Sequence, residues 1–170
     1  MRITLIGFMG SGKTTVAQEL SQQLTLPNND LDTLIEQAAG LTIPAYFEQF
    51  GEAQFRQLEQ KVLAEALSLE GILSTGGGTP VQVSNQDLLK NQDGPVIFLD
   101  ASDQTITTRL LADGVASRPL FQQLGMDGLL ELKQTRQPIY EKIASEIITV
   151  DGKQPAEIAE EIIHTINVSI

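Results

Sequence analysis

Lys13 stands near the end of Gly7-Phe-Met-Gly-Ser-Gly-Lys-Thr14, which fits G-x-x-x-x-G-K-[ST]. Glycines at these positions let backbone N–H groups curl around phosphate oxygens. A helix opening behind them presents its positive end to the same anion. Gly10, Ser11 and Gly12 would form that cradle, Lys13 would reach the β- and γ-phosphates, and the Thr14 hydroxyl would ligate Mg²⁺. At ordinary residue frequencies the four fixed positions arise by chance in fewer than about 1% of chains this long. The segment therefore reads as a nucleoside triphosphate loop. It is silent about the acceptor, since GTPases, nucleic-acid motors and small-molecule kinases share it. No Asn-Lys-x-Asp segment for reading guanine is present.

Five further features bear on the acceptor and the transfer. Asp30-Leu-Asp32 falls where a second strand would end. In an extended chain both carboxylates point to one face, where one could hold metal-bound water and the other orient or deprotonate a hydroxyl. An N-cap and a first-turn acid opening a helix at Thr33 suit the same two residues equally. Arg56 and Glu59 lie three apart on one helix face, either as a surface pair worth a few tenths of a kcal/mol or as an Arg aimed at an anion. Gly76-Gly-Gly78 follows a strand and permits either close backbone approach to a ligand or a flexible turn. Arg118-Pro119 follows the polar stretch Ala112–Ser117, which reads as a mobile lid carrying an Arg toward a transferring phosphate. Arg136 stands near a helix end, where it could also simply complement the dipole.

These residues need a scaffold, and the apolar pattern supplies one. Ile3–Ile6, 71–75, 95–99 and Ile147–Val150 read as buried strands. Helical spacing marks 14–24, 33–39, 45–69 with a break at Gly51, 84–91, 102–111, 126–142 and 155–166. Strands alternating with helices predict α/β architecture, a mainly parallel sheet covered on both faces, in one domain. Ligands of such sheets bind at the carboxyl ends of the strands.

Composition sets the outer bounds. The 170 residues carry 22 Asp and Glu against 11 Lys and Arg, a net charge of −11. Such an acidic chain argues against coating nucleic acid or an anionic membrane. The absence of cysteine excludes thiol chemistry and disulfides and fits a reducing compartment. Glycines and Lys13 interrupt the first apolar segment too early for a signal peptide or membrane span. The single histidine, His164, falls in the closing helix and reads as an ordinary surface residue.

In this order and spacing the motifs resemble the shikimate kinase family, small members of the nucleoside-monophosphate-kinase-like P-loop group. The matching segments are Gly7–Thr15, Asp30-Leu-Asp32 with Ile35-Glu36, Ile43 through Gly51-Glu52 to Arg56 and Glu59, Gly76–Gly78, Arg118-Pro119-Leu120 and Arg136-Gln-Pro-Ile-Tyr140. The resemblance implies a three-layer P-loop kinase fold with sheet order 2-3-1-4-5, a substrate-binding segment over 32–60 and a lid over 111–122. It implies phosphorylation of the 3-hydroxyl of shikimate by ATP with Mg²⁺, a step toward chorismate and the aromatic amino acids. Lys13 and Arg118 would contact the phosphates, with Thr15 also in the nucleotide loop, and Thr14 and Asp30 would serve the metal. Asp32 would bind the acceptor hydroxyl as base, Arg56 and Arg136 would grip the carboxylate, and Gly77 and Gly78 would meet the ring. Phe47 and Phe55 would form an apolar wall, and Glu59 would brace Arg56. Arg109 and Pro155 would contact adenine. A cytoplasmic monomer without nucleic-acid or membrane partners is expected.

The chain departs from the family at three places. Leu31 stands where a small residue is usual, and Pro27-Asn-Asn29 replaces an apolar second strand. The stretch from Arg109 to Arg118 is about two residues longer than common. Proline fits only an edge strand, which is where the family's sheet order puts it. Two rivals share the phosphate loop: a sister enzyme such as a gluconate kinase, and a nucleotide-binding module that has lost transfer activity. Neither requires the paired arginines together with Lys13, Thr14, Asp32 and Arg118.

Overall fold

The computed structural model describes residues 1–114 and 118–168. Strands β1 (Arg2–Ile6), β2 (Asn28–Asp30), β3 (Gly71–Ser74), β4 (Val96–Asp100) and β5 (Glu146–Thr149) form one sheet in the order β2-β3-β1-β4-β5. Every pairing is parallel. The central strands are apolar on both faces because helices cover both. Ile3, Leu5, Ile6, Ile72, Ile97 and Leu99 are wholly buried. β2 is the expected edge strand, three residues long, and the Pro27 carbonyl just before it accepts from Ile72 N.

The helices are α1 (Lys13–Leu24), α2 (Leu31–Ala39), α3 (Ile43–Ala66), α4 (Val83–Asn91), α5 (Asp103–Ala112), α6 (Pro119–Ile143) and α7 (Pro155–Val168). A 3₁₀ turn over Thr79–Val81 leads into α4. Gly51 divides α3 as its sequence position predicts: φ 81° and ψ 174° are not helical and are costly for a residue with a side chain. No helix among the described residues is long and apolar enough to cross a membrane.

Two boundaries differ from expectation. α2 begins at Leu31, not Thr33, because Asp30 is the N-cap and accepts from Thr33 N at 3.0 Å. This choice puts Leu31 and Ile35, both fully buried, on the same helix face one turn apart. α6 begins at Pro119, seven residues before the 126 expected, with a non-helical Gly125 between its two pieces. Pro119 suits the first helical turn, and Leu120 and Phe121 pack against the core. The segment 111–122, expected to act as a lid, is therefore helical at both ends. Residues 115–117 of it lie outside the described residues.

Candidate active site

β1 ends at Ile6, and Gly7–Gly12 carries the chain into α1 with Gly12 as N-cap at φ 95° and ψ 18°. No side chain caps α1, so its first N–H groups are open to an anion. Lys13 Nζ donates to the carbonyls of Gly7 (2.6 Å) and Phe8 (3.0 Å), which fixes the ammonium over the loop and leaves one N–H for a phosphate oxygen. Desolvation by burial is the main cause that lowers the Lys13 pKa to about 8. Arg136 and Arg118 lower it further, whereas Asp32 and Asp30 oppose the shift.

A cleft of about 580 Å³ opens beside this loop. Gly10, Gly12, Lys13, Thr14, Thr15, Asp30, Asp32, Gly76, Gly77, Arg109, Arg118 and Pro155 all line it. The buried Ser11 contributes to the loop rather than to the lining. Arg109, on α5, donates from Nη1 to the Ser11 carbonyl at 2.8 Å and the Gly10 carbonyl at 3.4 Å. Arg118 is exposed at the N-cap of α6. Met9, Thr75, Asp113, Lys153 and Gln154 also line the cleft and were not singled out from the sequence.

The two aspartates share the cleft, though not as alternate residues of an extended chain. Asp30 ends β2 and caps α2, with its Oδ2 also 3.4 Å from Ser74 Oγ. Asp32 lies in the first helical turn. Burial in the cleft wall is the main cause that raises its pKa, followed by Asp30 and Glu59, with Lys13 pulling the other way.

Gly78, Arg56 and Arg136 do not line this cleft; they lie next to Gly77, which does. A methyl placed on Gly78 would lie 3.3 Å from Arg56 Nη2 and 3.6 Å from Arg136 Nη2, and one on Gly77 would lie 3.5 Å from Arg136 Nη1. Gly78 has φ −87° and ψ −11°, which any residue can adopt. A methyl there would press on the Arg56 guanidinium, which would have to give by a few tenths of an ångström. Arg136 is stacked over Phe8, and its Nε is buried without a partner. Arg56 Nε is likewise buried without a hydrogen bond, with Glu52 Oε1 3.9 Å away, while Nη1 meets both oxygens of Glu59 at 3.0 and 3.2 Å. Arg56 thus turns its Nη2 end toward Gly78 while Glu59 holds Nη1, and a planar oxyanion suits that end of the guanidinium. Tyr140, one turn after Arg136 and fully buried, donates to the Gly77 carbonyl at 2.6 Å. Burial pushes its hydroxyl up to about 12 against the pull of Arg136.

Arg56 and Glu59 are therefore not a surface pair. Glu59 is only 3% exposed and also accepts from Thr79 Oγ1 (3.0 Å) and Asn85 Nδ2 (3.1 Å). Thr79 and Asn85 escaped the sequence reading. A signal existed: Asn85 occupies the buried face of α4 one turn before Leu89, where an apolar residue is the rule. Phe47 and Phe55 lie 4.5 Å apart, ring to ring, with the Arg56 guanidinium over Phe55; neither lines the cleft. His164 is exposed on α7.

The residues present suit a magnesium ion. Mg²⁺ keeps several waters and takes one or two protein oxygens together with phosphate, and Thr14 and Asp30 offer a hydroxyl and a carboxylate on one cleft wall. No cluster of three or more acidic or histidine ligands exists among the described residues, and this mode of binding needs none.

A family model described as shikimate kinase matches residues 9–167. The shikimate kinase of Limosilactobacillus fermentum is 45% identical over 164 residues, covering 96% of this chain and 94% of that protein. That of Enterococcus faecalis is 40% identical over 161 residues, covering 95% of each. Shikimate kinase from Acinetobacter baumannii, solved in complex with shikimate, superposes with a TM-score of 0.89 at 35% identity, covering 99% of this chain and 93% of that one. The Aquifex aeolicus shikimate kinase structure gives 0.81 at 35% identity, covering 99% and 98%. A triphosphate loop, an acidic pair and two converging guanidinium groups, carried on this sheet order, thus agree with sequence and structural likeness over nearly the whole length: the chain belongs to the shikimate kinase family, ATP-dependent phosphotransferases acting on the 3-hydroxyl of shikimate.

Proposed function

We propose that this chain transfers the γ-phosphoryl group of ATP to the 3-hydroxyl of shikimate through a division of labour along one cleft. The observation that carries the reading is the convergence of Arg56 and Arg136 on Gly78, each with a buried Nε that makes no hydrogen bond. Buried guanidinium N–H groups left without partners are costly, and a carboxylate is the acceptor that fits their fork. An acceptor held there by its carboxylate extends past Gly77 toward Asp32 and Lys13.

Residues Gly10–Thr15 wrap the triphosphate, Arg109 and Pro155 flank the adenine side, and Arg118 closes on the phosphates from α6. Thr14 and Asp30 would hold Mg²⁺, which when bound neutralises charge on the β- and γ-phosphates. Asp32, its affinity for a proton already raised, accepts the proton of the 3-hydroxyl. The hydroxyl oxygen forms its bond to the γ-phosphorus as the bond to the β,γ-bridging oxygen breaks, and ADP leaves with that oxygen. Lys13 and Arg118 stabilise the charge that passes between them. Little covalent work falls to the protein, so positioning and electrostatics supply the rate.

The reading takes the chain as one kinase domain with substrate residues in 32–60 and a closing segment in 111–122. It acts in the cytoplasm as a monomer, with both ligands held by side chains of a single chain. A coupled assay of ADP release with shikimate, with gluconate and with no acceptor tests the assignment. Turnover is expected with shikimate alone. Preference for gluconate, or an equal rate without acceptor, would overturn it.

A further inference from the structure

The side chain of Asn85 makes an unusual sacrifice. It is wholly buried, and its Oδ1 has no hydrogen-bond partner, a loss that ordinarily argues against a carboxamide in a core. Both of its N–H donors are engaged: Nδ2 donates to Glu59 Oε1 at 3.1 Å and to the Thr79 carbonyl at 3.0 Å. Both partners are acceptors, so chemistry alone fixes which end of the amide faces them. A leucine would pack the same face of α4 without stranding an acceptor. The position is therefore explained by what its N–H groups hold.

What they hold is the carboxylate behind the substrate fork. Each Glu59 oxygen receives two donors: Oε1 from Arg56 Nη1 and Asn85 Nδ2, and Oε2 from Arg56 Nη1 and Thr79 Oγ1. A single arginine contact would leave the carboxylate free to turn. The two extra donors lock its plane, and with it the plane of the Arg56 guanidinium. They also help keep a buried negative charge satisfied. Thr79 and Asn85 both come from the segment that continues Gly76–Gly78, so the glycine wall and the arginine facing it are set by one piece of chain.

We infer that Asn85, with Thr79, is a positioning residue for recognition of the acceptor's carboxylate, acting through Glu59 on Arg56. This rests on the proposed role of Arg56. Neither residue touches substrate; each decides where the fork points.

The test is a set of variants in the coupled assay, with thermal melting alongside. Asn85→Leu removes both donors while keeping volume, and Thr79→Val removes one hydroxyl with almost no change of shape. Each should raise the KM for shikimate roughly tenfold, the usual size for losing a hydrogen bond to a charged group. The KM for ATP should move less than about twofold. In a Glu59→Gln background Asn85→Leu should add little, because the residue acts through that carboxylate. Thr79→Val keeps the proposal open to refutation if Asn85→Leu does not fold. A folded Thr79→Val or Asn85→Leu with unchanged shikimate KM, or one raising both KM values alike, overturns it. So does full multiplicative addition in the Glu59→Gln background. Arg56→Ala separates the two layers: if it raises the shikimate KM and the Asn85 and Thr79 variants do not, the arginine reading stands and this inference fails. If Arg56→Ala leaves that KM unchanged, both fail.

Discussion

Arg136→Ala is the sharpest test of the carboxylate site. In the structure its guanidinium lies over the Phe8 ring at 5.8 Å, beside the Gly77–Gly78 backbone, with a buried and unpartnered Nε. An acceptor carboxylate would take charge-assisted hydrogen bonds from it, each worth about 1.5–3 kcal/mol. Losing two at the lower figure amounts to about 3 kcal/mol, on the order of a 10²-fold rise in the KM for shikimate. Arg136→Lys keeps a point charge but loses the planar fork, and should fall between, roughly tenfold. The residues proposed to hold the nucleotide are other than Arg136, so the KM for ATP should change less than about threefold. Stability gives a second readout. Removing an unsatisfied buried N–H is worth about 1–3 kcal/mol, which offsets the lost contact with Phe8. The melting temperature should therefore fall by no more than about 3 °C. The measurement is initial rates of ADP release with shikimate varied at saturating ATP, then the reverse. Equal increases in both KM values, or a large loss of stability with the KM ratio preserved, would refute the reasoning.

Three further outcomes follow from the same geometry. Lys13 is protonated below its pKa of about 8 and neutral above it, so kcat/KM for ATP should decline as pH rises through about 8; a profile flat to pH 10 would contradict the shift. Asp32→Asn removes the proton acceptor and should lower kcat on the order of 10²-fold or more with shikimate binding largely kept, measured by turnover and by titration calorimetry. Near-normal turnover would remove Asp32 from the role of base. Gly78→Ala is allowed by its backbone angles yet puts a methyl 3.3 Å from Arg56 Nη2. It should raise the shikimate KM on the order of tenfold or more with little change in melting temperature, whereas a drop in stability with unaltered KM would mean the glycine serves the turn instead.

What the sequence made legible divides by range of interaction. The phosphate loop could be read because its chemistry is local, with strand, glycines, lysine and helix consecutive in the chain. The central strands were legible because burial on both faces leaves an uninterrupted apolar run. β2 could be placed only through the edge tolerance of Pro27, since Asn28 and Asn29 carry no strand signal of their own. The start of α2 was ambiguous because Asp30 and Asp32 both make good caps. Burial of Leu31 decided it, and that is a tertiary fact. Glu59 was the least legible. At three residues from Arg56 it looks like any surface pair, and the donors that bury it come from 20 and 26 residues downstream. A spacing rule cannot see partners that only folding brings together.

The acidic surplus and the anionic ligands are reconciled by the kind of partner each cation has. Away from the cleft, Lys133 pairs with Asp103 at 2.9 Å, so its charge is cancelled where it stands; Lys153, which lines the cleft, is likewise paired, with Glu161 at 2.6 Å. At the site, Lys13 and Arg109 are held by backbone carbonyls and Arg136 stacks on an aromatic ring. Dipoles and ring faces orient a cation without neutralising it, so its full charge remains for the ligand. Arg56, tied to Glu59 and 3.9 Å from Glu52, is an exception, and there geometry was favoured over charge. At physiological ionic strength the screening length is about 8 Å, which mutes the outer carboxylates while leaving cations in contact with a ligand almost unscreened. A chain of net charge −11 can therefore hold two anions side by side.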